Sequence, residues 1–252
     1  MKPWTKKQIE QHRVAGEKLA LIKQEFYSYI LENTRIRKEI DEKSCIQFIK
    51  NAYKKHRLIN DTPKESCIVA FGEHTREVHY FPTQKTNSIL KPNSLILLDI
   101  WARLDEKEAP YADATFMFYY GNKIPKEIQA SWEVLMSARD TALQFLSQKL
   151  KRGVFPRGLD IDRAAHDVIG EAGFGRGIKH TIGHSLGFES PHGKLPGINW
   201  REYKPLLKNV GYTIEPGIYL NSFGMRSEID FYIDDTEQVI ITTPIQKEIE
   251  IL

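Results

Sequence analysis

Five side chains of this sequence have the types and placement to hold cations: Asp99, Asp113, His184, Glu215 and Glu228, each in or beside an apolar, strand-like stretch. Burying one unpaired ionised carboxylate costs on the order of several kcal/mol even after relaxation, and neighbouring like charges raise one another's pKa. The four acids of this set, brought together, would not stay ionised alone. Two divalent cations would neutralise them, and bridging carboxylates would hold such a pair roughly 3.5 to 4 Å apart, the spacing of two-metal hydrolases. Taken singly, each acid is better read as an independent strand-edge or turn residue. All five in strand-like surroundings favour convergence.

Convergence requires strands that share a sheet. Residues 94–101, which contain Asp99, and 111–119, which contain Asp113, read as β-strands from their apolar and aromatic content, with 105–110 as the turn between them. Residues 212–219, around Glu215, and 225–233, around Glu228, repeat the arrangement, and His184 lies in the glycine-flanked stretch 183–187. In front of these, Thr5 is predicted to cap a helix in which Ile9, Leu19, Ile22, Phe26 and Ile30 recur at helical spacing, and Cys45, Ile46, Phe48, Ile49 and Tyr53 mark a second helix. Residues 66–71 form a short apolar run ending at Gly72, and 78–82 are predicted extended because the residue before a proline avoids the helical region. Pro125 suits the first turn of a long helix to about Leu150, with Trp132, Leu135, Met136, Leu143 and Leu146 on its apolar side. Asp160 suits the cap of a further helix through Glu171, with Gly173 as its stop signal.

A chain of 252 residues at 41% hydrophobic can bury a sizeable core as one large domain or two small ones. A net charge of +3, spread through mixed-sign stretches such as 35–43, marks solvated helix faces and gives no support to a nucleic-acid partner. Cys45 and Cys67 are the only cysteines and form no Cys-x-x-Cys pattern, so neither a disulfide framework nor a thiolate zinc site is supported, and a reducing cytoplasm fits. The first residues lead into charged helical sequence without a signal-type apolar segment, and no run approaches membrane-spanning length. The expectation is a soluble, cytoplasmic protein without a membrane or nucleic-acid partner.

The motifs Asp113-Ala-Thr115, His180-Thr-Ile-Gly-His184, Ile214-Glu-Pro-Gly-Ile-Tyr219 and Gly224-Met-Arg-Ser-Glu228 occur in this order. The ordered set resembles the pita-bread metallopeptidases, the family of methionine aminopeptidase, prolidase and aminopeptidase P, over residues 66–233. The resemblance implies an α/β (α+β) pita-bread fold, a curved, mostly antiparallel sheet covered by helices with a dinuclear metal site in its central cleft. It also implies a single catalytic domain over residues 1–252, helical over about 1–60, without a separate amino-terminal creatinase-type domain. Carried over by position, Asp99 chelates one metal, Asp113 and Glu228 bridge both, and His184 with Glu215 completes the second. A mostly oxygen donor set with one imidazole suits Mn, Co, Fe or Zn, with Mn or Co expected in vitro. Such a pair lowers the pKa of a bound water from 15.7 toward roughly 7, and Glu215 is then placed to carry its proton to the departing nitrogen. His180 and His192 match family histidines that contact the scissile carbonyl or stabilise the tetrahedral intermediate. His79, His180, Arg226 and Tyr219 fall on the substrate side, whereas His12, His56, His74 and His166 read as structural. Two departures stand out: His192 lies one position further from His184 than usual, with Ser185 in place of a glycine, and the two hairpin aspartates are more widely separated, so their turn carries an insertion.

Arg226, two before Glu228, looks with residues 215–219 and His180 more like prolidase and aminopeptidase P than like methionine aminopeptidase, which points to Xaa-Pro bonds. A prolyl nitrogen has no hydrogen to recognise, so such a site must grip the ring or a terminal carboxylate. Arg226 is a candidate for that grip, and an ion pair with a ligand acid is the competing reading. Chain length instead resembles methionine aminopeptidase. The expected activity is removal of the amino-terminal residue from peptides or dipeptides, with methionine aminopeptidase-like cleavage, or a catalytically weak peptide- or protein-binding module, as alternatives. A peptide is the expected partner, and both homodimer and monomer stay open.

Overall fold

Thr5 begins a 30-residue helix, α1 (Lys6–Arg35), through a reciprocal cap: its hydroxyl accepts the Gln8 backbone N–H at 3.3 Å while the Gln8 side chain accepts the Thr5 N–H at 2.9 Å. The computed structural model describes residues 3–62 and 66–252, so the first two residues of the amino-terminal stretch read above lie outside it. Asp41 caps α2 (Glu42–Lys55) in the same reciprocal way, through Ser44. The strands that follow are β1 (Leu58–Ile59), β2 (Cys67–Phe71), β3 (Ser94–Leu104) and β4 (Ala112–Tyr120). β3 pairs antiparallel with β1, β2 and β4, and the carboxyl-terminal β10 (Glu250–Ile251) adds to β4 in parallel.

Side chains alternate between the two faces of a strand, and here that alternation decides where the acids go. Ile96, Leu98 and Ile100 of β3 and Ala114, Phe116 and Phe118 of β4 share one apolar cluster with Leu19, Ile22, Phe26 and Ile30 of α1 and Cys45 and Ile49 of α2. Each fully buried Leu, Ile or Phe there contributes about 1.5–3 kcal/mol. The odd-numbered positions Leu95, Leu97, Trp101, Met117 and Tyr119 join the other cluster, on the opposite face. Asp99, Asp113 and Thr115 are odd-numbered too, so they point away from α1 and α2.

Opposite that face stand α3 (Lys126–Lys151), α4 (Gly158–Glu171) and the strands β5 (Gly211–Ile214), β6 (Gly217–Tyr219), β7 (Gly224–Arg226), β8 (Ile229–Ile233) and β9 (Val239–Ile241). Trp132, Leu135 and Leu146 of α3 are buried as their spacing predicts, with Met136 and Leu143 partly buried beside them. Gly173 ends α4 with φ 88°, in the left-handed region, and the Phe174 N–H closes the turn on Ile169 O at 3.0 Å. Among the described residues no helix is long and apolar enough to cross a membrane.

Three sequence expectations are corrected. Helix α4 starts two residues before Asp160, with Arg157 in the cap position, because Asp160 is engaged by the Arg157 guanidinium at 2.7 and 2.8 Å. Residues 78–82 form no strand: Val78 and His79 lie in a turn, with no ladder partner. The two later strands are each broken, β5 from β6 at Glu215-Pro216 and β7 from β8 at Ser227-Glu228. Pro216 has no N–H to give to a ladder, and the interruption frees two acids to face inward.

Candidate metal centre

Asp99 stands directly across the ladder from Thr115, and Asp113 across from Trp101, so all four share one face of the β3–β4 hairpin, the insertion being confined to its turn. The second hairpin aligns Ile214 with Ile229 and Gly217 with Arg226, leaving Glu215-Pro216 opposite Ser227-Glu228 as the break. Its two halves stay in step because the Ser227 N–H donates to Pro216 O at 3.2 Å. The hairpins are stitched together by Asp230, whose Oδ2 accepts the Asp113 backbone N–H at 2.8 Å, and by Thr115, whose hydroxyl donates to Glu228 Oε2 at 2.8 Å.

His184 comes from a segment laid along β5. The Leu186 N–H donates to Gly211 O at 2.8 Å, the Thr213 N–H to His184 O at 2.9 Å and the Glu215 N–H to Ile182 O at 2.7 Å. The Thr213 hydroxyl accepts the His184 N–H at 3.0 Å and donates to Glu215 Oε1 at 3.3 Å. His184 Nδ1 lies 3.1 Å from Ser185 O, an oxygen that can only accept, so Nδ1 carries the hydrogen and Nε2 is left with its lone pair. That Nε2 lies 3.4 Å from Glu215 Oε1 and 3.8 Å from Asp113 Oδ2. Asp113, His184 and Glu228 each offer one donor atom within 4.8 Å of the others. All five predicted ligands line one cavity of about 140 Å³ together with His79, His192 and Arg226.

The electrostatics of this cluster are those of a cation site. Burial, then Glu228 and Asp99, push the Asp113 carboxyl well above the usual range, and burial, then Glu215 and Asp99, do the same to Glu228. Burial raises Glu215 to about 7, against the opposing pull of the Arg226 charge and with help from Asp99. Burial also lowers His184 to about 3, aided by neighbouring His192, so the imidazole is neutral as a ligand must be. Asp99 Oδ1 and Asp113 Oδ1 are buried without a hydrogen-bond partner. Buried carboxylate oxygens left without donors are costly, and a cation in the cavity would satisfy both.

Arg226 is 3% exposed, forms an ion pair with Asp99 Oδ2 and also lines the cavity. Its Nε donates to the Thr115 hydroxyl at 3.0 Å and its Nη1 to the Tyr219 hydroxyl at 3.2 Å. Tyr219 in turn donates to His180 Nε2 at 2.9 Å, since His180 Nδ1 is committed to Thr181 O at 2.8 Å. Gly217 makes room for this chain: a Cβ there would lie 2.5 Å from the Tyr219 ring and 2.6 Å from His180 Nε2. The longer spacing to His192 still brings its ring within 4.2 Å of His184, edge to face. The histidines read as structural each have a partner elsewhere: His12 with Tyr111 O and Thr242, His56 with Glu25, His74 with Glu42 and His166 with Asp162.

Thr115, Thr213 and Asp230 were not among the predicted site residues. The signal for all three is a spacing of two from a ligand acid, Asp113-Ala-Thr115, Thr213-Ile-Glu215 and Glu228-Ile-Asp230, which in extended chain keeps neighbours on one face. Thr115→Val keeps the shape but takes the donor from Glu228 Oε2, and is expected to lower stability by about 1–3 kcal/mol in urea unfolding.

The profile of metallopeptidase family M24 matches residues 10–235. An uncharacterized peptidase of Staphylococcus epidermidis is 28% identical over 209 residues, 82% of this chain and 54% of its own length. YkvY of Bacillus subtilis, provisionally named a dipeptidase, is 31% identical over 178 residues, 70% of this chain and 45% of its own. The chain thus spans about half the length of the curated relatives it matches. Among solved structures, the X-Pro aminopeptidase of Thermotoga maritima superposes with a TM-score of 0.81 at 23% identity, covering 99% of this chain and 64% of that one. The architecture is therefore the expected pita-bread fold. With a profile match that runs from the first helix through both acid-bearing hairpins, the chain belongs to metallopeptidase family M24.

Proposed function

We propose that residues 1–252 act as one catalytic unit, a dinuclear metal-dependent exopeptidase that removes the amino-terminal residue from peptides or dipeptides at Xaa-Pro bonds. The observation that carries this reading is the cluster of Asp113, His184 and Glu228 donors within 4.8 Å of one another. Asp99, Asp113, His184, Glu215 and Glu228 would together hold two divalent cations, whose charge would offset that of the four acids. Asp99 serves this role with its free Oδ1, since Oδ2 belongs to Arg226. Hard oxygens with one imidazole suit Mn or Co, with Zn and Fe also compatible. Once bound, the metal pair supplies Lewis acidity and a water activated near neutral pH.

The chain's own groups do the rest. Glu215, which lines the cavity beside His184, is placed to take up a proton and release it to the departing nitrogen. Burial, then the Arg226 charge, lower His180 to about 3 and keep it neutral, and its bond to Tyr219 holds its ring with Nδ1 3.9 Å from Glu215 Oε2. His79 and His192 face the same space. The apolar side chains of Ile68, Phe81, Trp101 and Pro191 complete the lining and suit a pyrrolidine ring, which offers no N–H to recognise.

The test is a parallel assay of Xaa-Pro dipeptides, longer Xaa-Pro peptides and Met-Ala peptides with Mn, Co and Zn. Cleavage of the Xaa-Pro substrates, highest with Mn or Co, is the expected result. Cleavage of Met-Ala peptides alone would overturn the substrate assignment.

A further inference from the structure

A second buried carboxylate outside the metal cavity is satisfied entirely by donors. Glu42, in the first turn of α2, is fully buried. Its Oε1 accepts the Phe71 N–H at 2.9 Å and lies 2.8 Å from His74 Nδ1, which therefore carries its hydrogen. Its Oε2 accepts the Tyr80 hydroxyl at 2.7 Å and the Ser88 N–H at 2.8 Å. Two donors on each oxygen explain how this charge is tolerated in the interior. All four come from the connection between β2 and β3 or its start at Phe71, and the Glu42 N–H returns a bond to Ser88 O at 3.2 Å. The His74 ring stacks on Tyr80 at 4.4 Å, which tightens the same node.

That connection carries His79 and Phe81 into the cavity wall. On one side of His79, the Val78 carbonyl lies 3.5 Å from Arg226 Nη1, and the Thr75 hydroxyl accepts the Gly224 N–H at 2.9 Å. On the other side, Tyr80 is bound to Glu42. His79 is thus presented between a clamp on the metal-bearing hairpin and a clamp on α2. No strand ladder holds residues 77–82, so His79 depends on these flanking contacts for its position.

We propose that Glu42 is a positioning residue: it touches neither the metal donors nor the cavity, and acts by setting where His79 meets the peptide. This rests on the exopeptidase reading above. A glutamine at this position keeps the shape but turns an NH₂ toward one pair of donors, which undoes half of the node.

The experiment compares Glu42→Gln, His79→Ala and the double variant by kcat/KM on an Xaa-Pro peptide with Mn, alongside bound metal by elemental analysis. His79 imidazole signals are followed by NMR in the metal-free protein and assigned through His79→Ala. Glu42→Gln is expected to lower kcat/KM by about 10- to 100-fold, to leave metal content unchanged, to shift the His79 signals, and to add no further loss to His79→Ala. Tyr80→Phe, which removes a single donor, is expected to shift the same signals less and serves if Glu42→Gln does not fold. A loss that multiplies in the double variant, or unmoved His79 signals in the folded variants, would overturn the proposal. If the wild type cleaves no peptide, the exopeptidase reading fails by itself, and the His79 signals alone decide for or against the positioning role.

Discussion

Glu215→Gln is expected to reduce peptide turnover by about 10²- to 10⁴-fold, the range for loss of a positioned acid–base group, while leaving a folded protein. Glutamine keeps a carbonyl oxygen for the bond from Thr213 but cannot take up a proton. The fold survives because glutamine keeps the size of the side chain, and because β5 and β6 are anchored by β8 and β7 rather than by Glu215. His184→Ala reaches the same loss by another route. It removes the one neutral donor placed among the acids, so bound metal falls together with activity. Turnover is measured with saturating Mn on an Xaa-Pro peptide, folding by circular dichroism. Wild-type-like turnover in either variant would contradict the assignment.

The second large effect is on stability. In the metal-free protein Glu215 is raised from 4.5 to about 7 by burial, and Asp113 and Glu228 are raised well above their ordinary values by burial and one another's company. A carboxyl whose folded pKa is raised binds its proton more tightly when folded. Its contribution is therefore intact below the unfolded value and is lost as pH rises through the folded one. The histidines work in the opposite sense: His180 and His184, lowered from 6.5 to about 3 by burial, destabilise the folded state as pH falls below 6.5. The unfolded-state histidines finish losing their protons only about one pH unit above 6.5, so the melting temperature of metal-free protein is expected to drop between about pH 7.5 and 8.5, where the raised Asp113 and Glu228 carboxyls go on changing. Mn at about 100 times its dissociation constant adds about 2.7 kcal/mol, or about 5–10 °C for a domain of this size. It is also expected to remove the downward slope, because the bound ions compensate the ionised acids. Scanning calorimetry with and without Mn measures both, and a metal-free melting temperature that climbs from about pH 7.5 to 8.5 would refute the assignment of these acids to one buried cluster.

Much of this arrangement is legible in the residues themselves. The Asp99 and Asp113 hairpin could be read because two apolar and aromatic runs flank a turn of charged residues, and the first two helices because their caps and periodicity are local. What escaped notice depends on partners far along the chain. Asp230 binds the Asp113 N–H across 117 positions and Glu42 binds Tyr80 across 38, and no local pattern marks either pairing. The break at Glu215-Pro216 was signalled by the proline, although apolar content on both sides suggested a continuous strand. The segment 78–82 was misread because a proline's restriction of its predecessor excludes helix without specifying a ladder. Arg226 was open between two partners; the acid, Asp99, is beside it, and its guanidinium also reaches the cavity.

The stitching of Asp230 onto Asp113 also orders events in time. Asp99 and Asp113 precede residue 120, His184 follows on a separate segment, and Glu215 and Glu228 come only after residue 210. Synthesis must pass Glu228 before all five side chains exist. A cation held by the full set would be captured only after these distant pairings have closed, and metal content would then report how far a given molecule has progressed along its folding route.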